Sequence, residues 1–112
     1  MDQILAKLLD IPGAQGSLVV GKDGLVVAFA GQTDPDTDSL GAIAAELLNH
    51  VESALPVMGN LTNLSVEGES CQIHVAAINE VTYLLLMTKG GPGLGRIRVE
   101  LSSACKALRE EL

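Results

Sequence analysis

The alternation of apolar and polar positions divides the chain into eight elements. Over residues 2–10, Ile4, Leu5, Leu8 and Leu9 recur at helical spacing behind Asp2, a residue suited to an N-cap. Ile11-Pro12-Gly13 stops that helix. Two β-rich runs within Gly16–Gly31 flank Gly21-Lys22-Asp23-Gly24, a hairpin signal. The loop Thr33–Ser39 supplies capping residues and acids that suit a helix N-terminus. A long helix is predicted from Thr37 to Leu55, ended by Pro56. Strands are predicted at Asn63–Glu67, Cys71–Ile78 and Thr82–Thr88, and their short links favour antiparallel neighbours. A helix from Leu94 to Leu112 closes the chain. The order α-β-β-α-β-β-β-α predicts one α+β domain over residues 1–112, with a five-stranded, mostly antiparallel sheet and helices on its faces.

The long helix has more apolar surface than one contact needs. At about 100° per residue, Leu40, Ala44, Leu47, Val51, Leu55 and Met58 form one stripe, with Ile43 at its margin. That stripe is expected to pack on the sheet. Ser39, Glu46, Asn49, His50 and Ser53 form a polar side, and Gly41, Ala45, Leu48 and Glu52 a third strip. The apolar arc is roughly 200° wide, where a surface helix needs little over 100°. Gly41 also costs about 1 kcal/mol against Ala in a helix interior. Close approach of another helix is the expected compensation. Gly41, Ala45, Leu48 and Glu52 are therefore predicted to carry partner or self-association contacts, and Ala45→Arg to disrupt them while leaving the fold intact.

Composition narrows the function. The chain has 112 residues, enough for one core but not two. It is 47% hydrophobic and 19% charged, which is globular. Phe29 and Tyr83 are its only aromatic residues, so Leu, Val, Ile and Ala must build the core and no platform exists for stacking bases. The net charge of −7 disfavours nucleic acid and anionic membrane surfaces. Apolar runs such as Leu84–Met87 are too short to insert in a bilayer. Cys71 and Cys105 form no CxxC pair, and the N-terminus lacks the basic region of a secretory signal, so two reduced thiols in a cytoplasmic protein are expected.

Gly90–Ile97 reads G-x-x-x-x-G-R-I, near the G-x-x-x-x-G-K-[ST] of a nucleotide-binding P-loop. Arg96 lacks the compact ammonium that such a site uses, and Ile97 has no oxygen for Mg²⁺. Only 17 residues follow Gly95, whereas a nucleotide-binding domain still has most of its sheet to come. A turn into a helix whose stripe is Leu94, Ile97, Leu101, Cys105 or Ala104, and Leu108 is the better reading. His50 follows Glu46 by one turn, but Zn²⁺ needs three or four ligands. His74 is expected at a surface or edge of a strand. No nucleophile elbow frames any Ser. Asp34, Asp36 and Asp38 have part of a calcium loop's spacing without its Gly and Glu. No catalytic residue, cofactor or metal is expected, and the chain is read as non-enzymatic.

Ile11–Gly31, the helix at Asp38–Leu55 and the strand–turn–helix at Tyr83–Leu112 together resemble a Roadblock/LC7 domain of the prokaryotic, MglB-like kind. The resemblance covers essentially the whole chain. It implies a profilin-like architecture, with the long helix on one face of the sheet and the terminal helices on the other. It also implies a homodimer through the long helix and third strand, where Leu64 and Val66 would extend the sheet across the dimer. The implied role is a non-enzymatic, homodimeric regulator of a Ras-like small GTPase. The alternatives are an adaptor of the dynein-light-chain kind without effect on GTP turnover, and a nucleotide-binding module built on the glycine loop. Arg96 and Arg98 are placed to reach a partner, without being read as arginine fingers.

Overall fold

The structure, a computed structural model, describes residues 1–31, 37–91 and 93–112, and only the backbone of 37 and 38. The elements are α1 (Asp2–Leu8), β1 (Ala14–Gly21), β2 (Val26–Gly31), α2 (Thr37–Ala54), a 3₁₀ turn at Pro56–Met58, β3 (Asn63–Glu67), β4 (Gln72–Ala77), β5 (Thr82–Thr88) and α3 (Leu94–Glu111). The strands lie in the order β2-β1-β5-β4-β3, and every neighbouring pair is antiparallel.

Strand alternation splits the core in two. Val19, Ala76, Leu84 and Leu86 face Leu5 and Leu8 of α1 and Ile97, Leu101, Cys105 and Leu108 of α3. Leu18, Val20, Val75, Tyr83 and Leu85 face Ala44 and Leu48 of α2. The register explains the division: Leu18 pairs with Leu85 and Val20 with Tyr83, so both pairs point to one side, and Val19 with Leu84 points to the other. Polar ties close the α1/α3 side. Ser17 Oγ donates to the Leu5 carbonyl at 2.9 Å. Arg109 donates to the carbonyl of Ile78, tying the end of α3 to the end of β4.

The glycine turn before α3 packs against the link after α1. A Cβ at Gly91 would lie 2.1 Å from the Pro12 carbonyl oxygen, and one at Gly13 would lie 2.6 Å from that of Lys89. The backbones meet at this crossing, which accounts for glycine at both positions.

The orientation of α2 corrects the wheel. Gly41, Ala44, Ala45 and Leu48 are the buried positions, whereas Ile43 is 61% and Leu47 41% exposed. Leu55 and Met58 also stay exposed, beyond the helix end. Leu40, Ala44 and Val51 of the predicted stripe do pack against the α2-side core, but the helix is rolled so that the small strip joins them and Leu47 does not. Close approach does offset the cost of Gly41, but the partner is the chain's own hairpin. A Cβ at Gly41 would lie 2.8 Å from Val26 Cγ2 and 3.2 Å from Val20 Cγ2. At the hairpin tip, Gly24 has φ +89° and sits under Ala42, whose Cα would be 3.2 Å from an added Cβ. The small strip wins because it lets the helix sit closer to the sheet.

Gly41→Val is expected to lower stability by about 1–3 kcal/mol through overpacking against Val26 and Val20. Urea unfolding of the variant beside the wild type measures it.

Candidate interaction surface

The predicted interface residues divide between core and surface. Gly41, Ala45 and Leu48 are buried within the monomer, so they offer no free contact strip. Glu52 is half-buried and accepts a hydrogen bond from Tyr83 Oη at 3.2 Å. Burial, then the charge and hydrogen bond of Glu52, push the Tyr83 pKa up to about 12. Glu52 therefore pins α2 to β5. Leu64 is half-buried and Val66 is 46% exposed, both on the α2 side of the sheet.

Ile43 and Leu47 occupy the available apolar flank of α2. It is turned away from the hairpin, because the opposite flank is held there. Asn49 Nδ2 donates to the Lys22 carbonyl at 3.2 Å, and Ala45 lies near Gly24. Ile73 and Met87, cross-strand partners on the α2 side of the sheet, are only half-buried. The α2 side thus retains exposed apolar surface on the helix flank and at edge strand β3. The wheel did contain a signal for this flank: Ile43 and Leu47 border the polar positions Glu46 and His50, whereas the small residues lie farther round.

On the other side, β4 holds a polar cluster. His74 is buried, not at the surface as expected from alternation. Its Nδ1 is 3.0 Å from Ser65 Oγ and its Nε2 3.4 Å from Thr88 Oγ1, while Thr88 donates to Gln72 Oε1 at 3.0 Å. Alternation did not foresee that α3 and the glycine turn cover this side. Burial lowers the His74 pKa from its usual 6.5, and the charge of Glu67 pulls it up less strongly. Cys71 and Cys105 are free thiols. Burial raises Cys105 to about 11, opposed by Arg109.

Among the described residues, no three His, Cys, Asp or Glu side chains gather to hold a metal ion. Asp34, Asp36 and the side chain of Asp38 lie outside the described residues. Arg96 and Arg98 are exposed on α3, across the sheet from α2. Arg98 lines a cleft of about 840 Å³ with Glu52, Tyr83 and Arg109. No helix among the described residues is long and apolar enough to cross a membrane.

A five-stranded antiparallel sheet between one long helix and a terminal helix pair defines the class of domain. Residues 1–88 match the Roadblock/LC7 domain family. The chain is 32% identical over 111 residues to the uncharacterized protein MJ1340 of Methanocaldococcus jannaschii, covering 97% of this chain and 96% of that one. A Roadblock/LC7 domain from Streptomyces avermitilis superposes with a TM-score of 0.90 at 21% identity, covering 99% of this chain and 96% of that chain. An MglB with a tetrameric arrangement and the gliding protein MglB of Thermus thermophilus superpose at 0.88 and 0.87, each 21% identical, over 97% of this chain and 85% of theirs. The chain belongs to the Roadblock/LC7 family.

Two outcomes test the geometry. Ala45→Arg places a charge without a partner in the core and is expected to lower stability by about 3 kcal/mol or more, read by thermal unfolding. The folded state binds the His74 proton less tightly than the unfolded chain. Stability is therefore complete above about pH 6.5 and falls as the pH drops through the lowered folded pKa. His74→Gln is expected to remove that part of the slope, seen as urea midpoints that change less between neutral and mildly acidic pH.

Proposed function

We propose that the protein is a homodimeric regulator that binds a Ras-like small GTPase and acts by contact rather than by chemistry of its own. The observation that carries this is the exposed apolar surface on the α2 side: Ile43 and Leu47 on the helix flank turned away from the hairpin, and Leu64 and Val66 on edge strand β3. A monomer gains nothing from leaving Ile43 in water; removing such a side chain from solvent is worth about 1.5–3 kcal/mol. Pairing two β3 edges also satisfies backbone groups that have no neighbouring strand. Fold likeness to MglB, one structure of which is tetrameric, supports self-association and regulation as the family role.

Leu47→Arg tests the dimer. Its side chain is exposed in the monomer, so the circular dichroism spectrum should stay that of the wild type, while sedimentation equilibrium should shift from dimer to monomer. An unchanged dimer would remove α2 from the interface. The GTPase is tested by adding wild type and Leu47→Arg to the Ras-like GTPases of the same genome. Faster GTP hydrolysis with the wild type alone marks an activator. Binding without a change in turnover marks an adaptor.

A further inference from the structure

The cleft of about 840 Å³ at the end of the sheet lies between the loop before β3, the β4–β5 turn and one strip of α3. Its size suits a small molecule, whose sites span roughly 300–1,000 Å³. Ile43, Leu47, Leu64 and Val66 lie outside it, so it is separate from the proposed interface. Arg98, Ser102, Cys105 and Arg109 follow one another at helical spacing and form the α3 strip. The charge of the cleft runs against that of the chain. Lys22, Arg98 and Arg109 line it against Glu52 and Glu80 alone, in a protein of net charge −7. Among the described residues none of these five side chains makes an ion pair. Glu52 is already taken by the Tyr83 hydroxyl.

The polar atoms left over are mostly donors. Arg109 Nε and Nη2 donate to the carbonyls of Ile78 and Ala77. Those acceptors are neutral, so they fix the guanidinium without cancelling its charge and leave its other N–H groups unspent. Beside Ile78, Asn79 Oδ1 accepts from Val81 N, Thr82 N and Thr82 Oγ1 at 2.9, 2.9 and 2.7 Å. Its oxygen is committed to the turn, and its Nδ2 amide remains as a donor. Arg109 and Asn79 therefore make one fixed, donor-rich pole. Arg98 makes a second. Eleven residues of helix put the two arginine backbones about 16 Å apart along the axis. Between the poles the cleft is lined by buried Ala76 and Cys105. Its one aromatic residue, Tyr83, is 2% exposed, so a flat ring finds no face to stack on.

We propose that this cleft binds a small, elongated, non-aromatic dianion with a phosphate or carboxylate group at each end. One end meets Arg109 and Asn79, and the other meets Arg98. Charge-assisted hydrogen bonds to acceptor oxygens are the contacts these donors make best. The fixed guanidinium of Arg109 adds affinity because little side-chain freedom is lost on binding.

The test is a titration of the full chain followed by the NMR shifts of its backbone amides and arginine Nε–H groups, at constant ionic strength. Fructose 1,6-bisphosphate is the probe with two phosphates, and azelate the probe with two carboxylates. Fructose 6-phosphate and nonanoate are their one-ended controls. Saturable shifts at residues 78–81 and 98–109 are expected with at least one two-ended probe, and the probe that responds identifies the anion. Its one-ended control should bind more weakly by roughly tenfold. Arg98→Gln changes an exposed side chain. It should bring the two-ended probe down to the affinity of its control and leave the thermal midpoint unchanged. Asn79→Asp keeps the oxygen that the turn uses but replaces the donor with a charge, and should abolish the shifts. No saturable shift with either two-ended probe, equal affinity for a probe and its control, or full binding by Arg98→Gln would overturn the proposal. So would shifts centred away from the cleft.

Discussion

The approach of α2 to the β1–β2 hairpin sets the geometry of one whole side of the molecule. Gly41 lies where a Cβ would press on Val26 and Val20, and the hairpin tip at Gly24 meets the helix backbone at Ala42. Close approach at these two points fixes the roll of the helix. The roll then buries Ala45 and Leu48, brings Glu52 to the Tyr83 hydroxyl, and leaves Ile43 and Leu47 in solvent. A larger residue at position 41 would move the helix outward, and each of these consequences would change with it.

The two sides of the sheet differ because of what covers them. Two helices close the first side, and its polar groups are satisfied internally: Ser17 by the Leu5 carbonyl, His74 by Ser65 and Thr88. Buried polar groups that are paired in this way hold a structure without inviting a ligand. Among the described residues a single helix covers the second side, and at β3 and β2 the sheet ends without a neighbouring strand. The exposed large side chains Ile43, Leu47, Val66 and Phe29 belong to that second side.

Most of the fold was legible because its signals are local. The hairpin follows from Gly21-Lys22-Asp23-Gly24 between β-rich runs, and α2 and α3 from long runs at helical spacing. Element bounds shift only slightly, as at α2, which ends at Ala54 rather than Leu55. The glycines of Gly90–Gly95 were legible as a turn, and the structure adds the Pro12 carbonyl that Gly91 must clear. The interaction surface was less legible. A wheel shows that apolar strips exist, but an arc about 200° wide admits more than one roll. Gly41, Ala45 and Leu48 looked like a spare strip because their smallness was read as room for a partner helix. His74 was misread for a related reason: alternation gives the side of a strand, not what covers that side.

The sequence by itself determined the order of the elements, the antiparallel connections and a core of aliphatic residues, because turn chemistry and hydrophobic period act between near neighbours in the chain. It also determined that the smallness of Gly41 needs a close neighbour, since glycine is costly inside a helix. Only the tertiary structure decided that the neighbour is the chain's own hairpin, and so which flank of α2 remains outside. That choice depends on atoms such as those of Val20 and Val26, which meet Gly41 only after the helix has docked on the sheet.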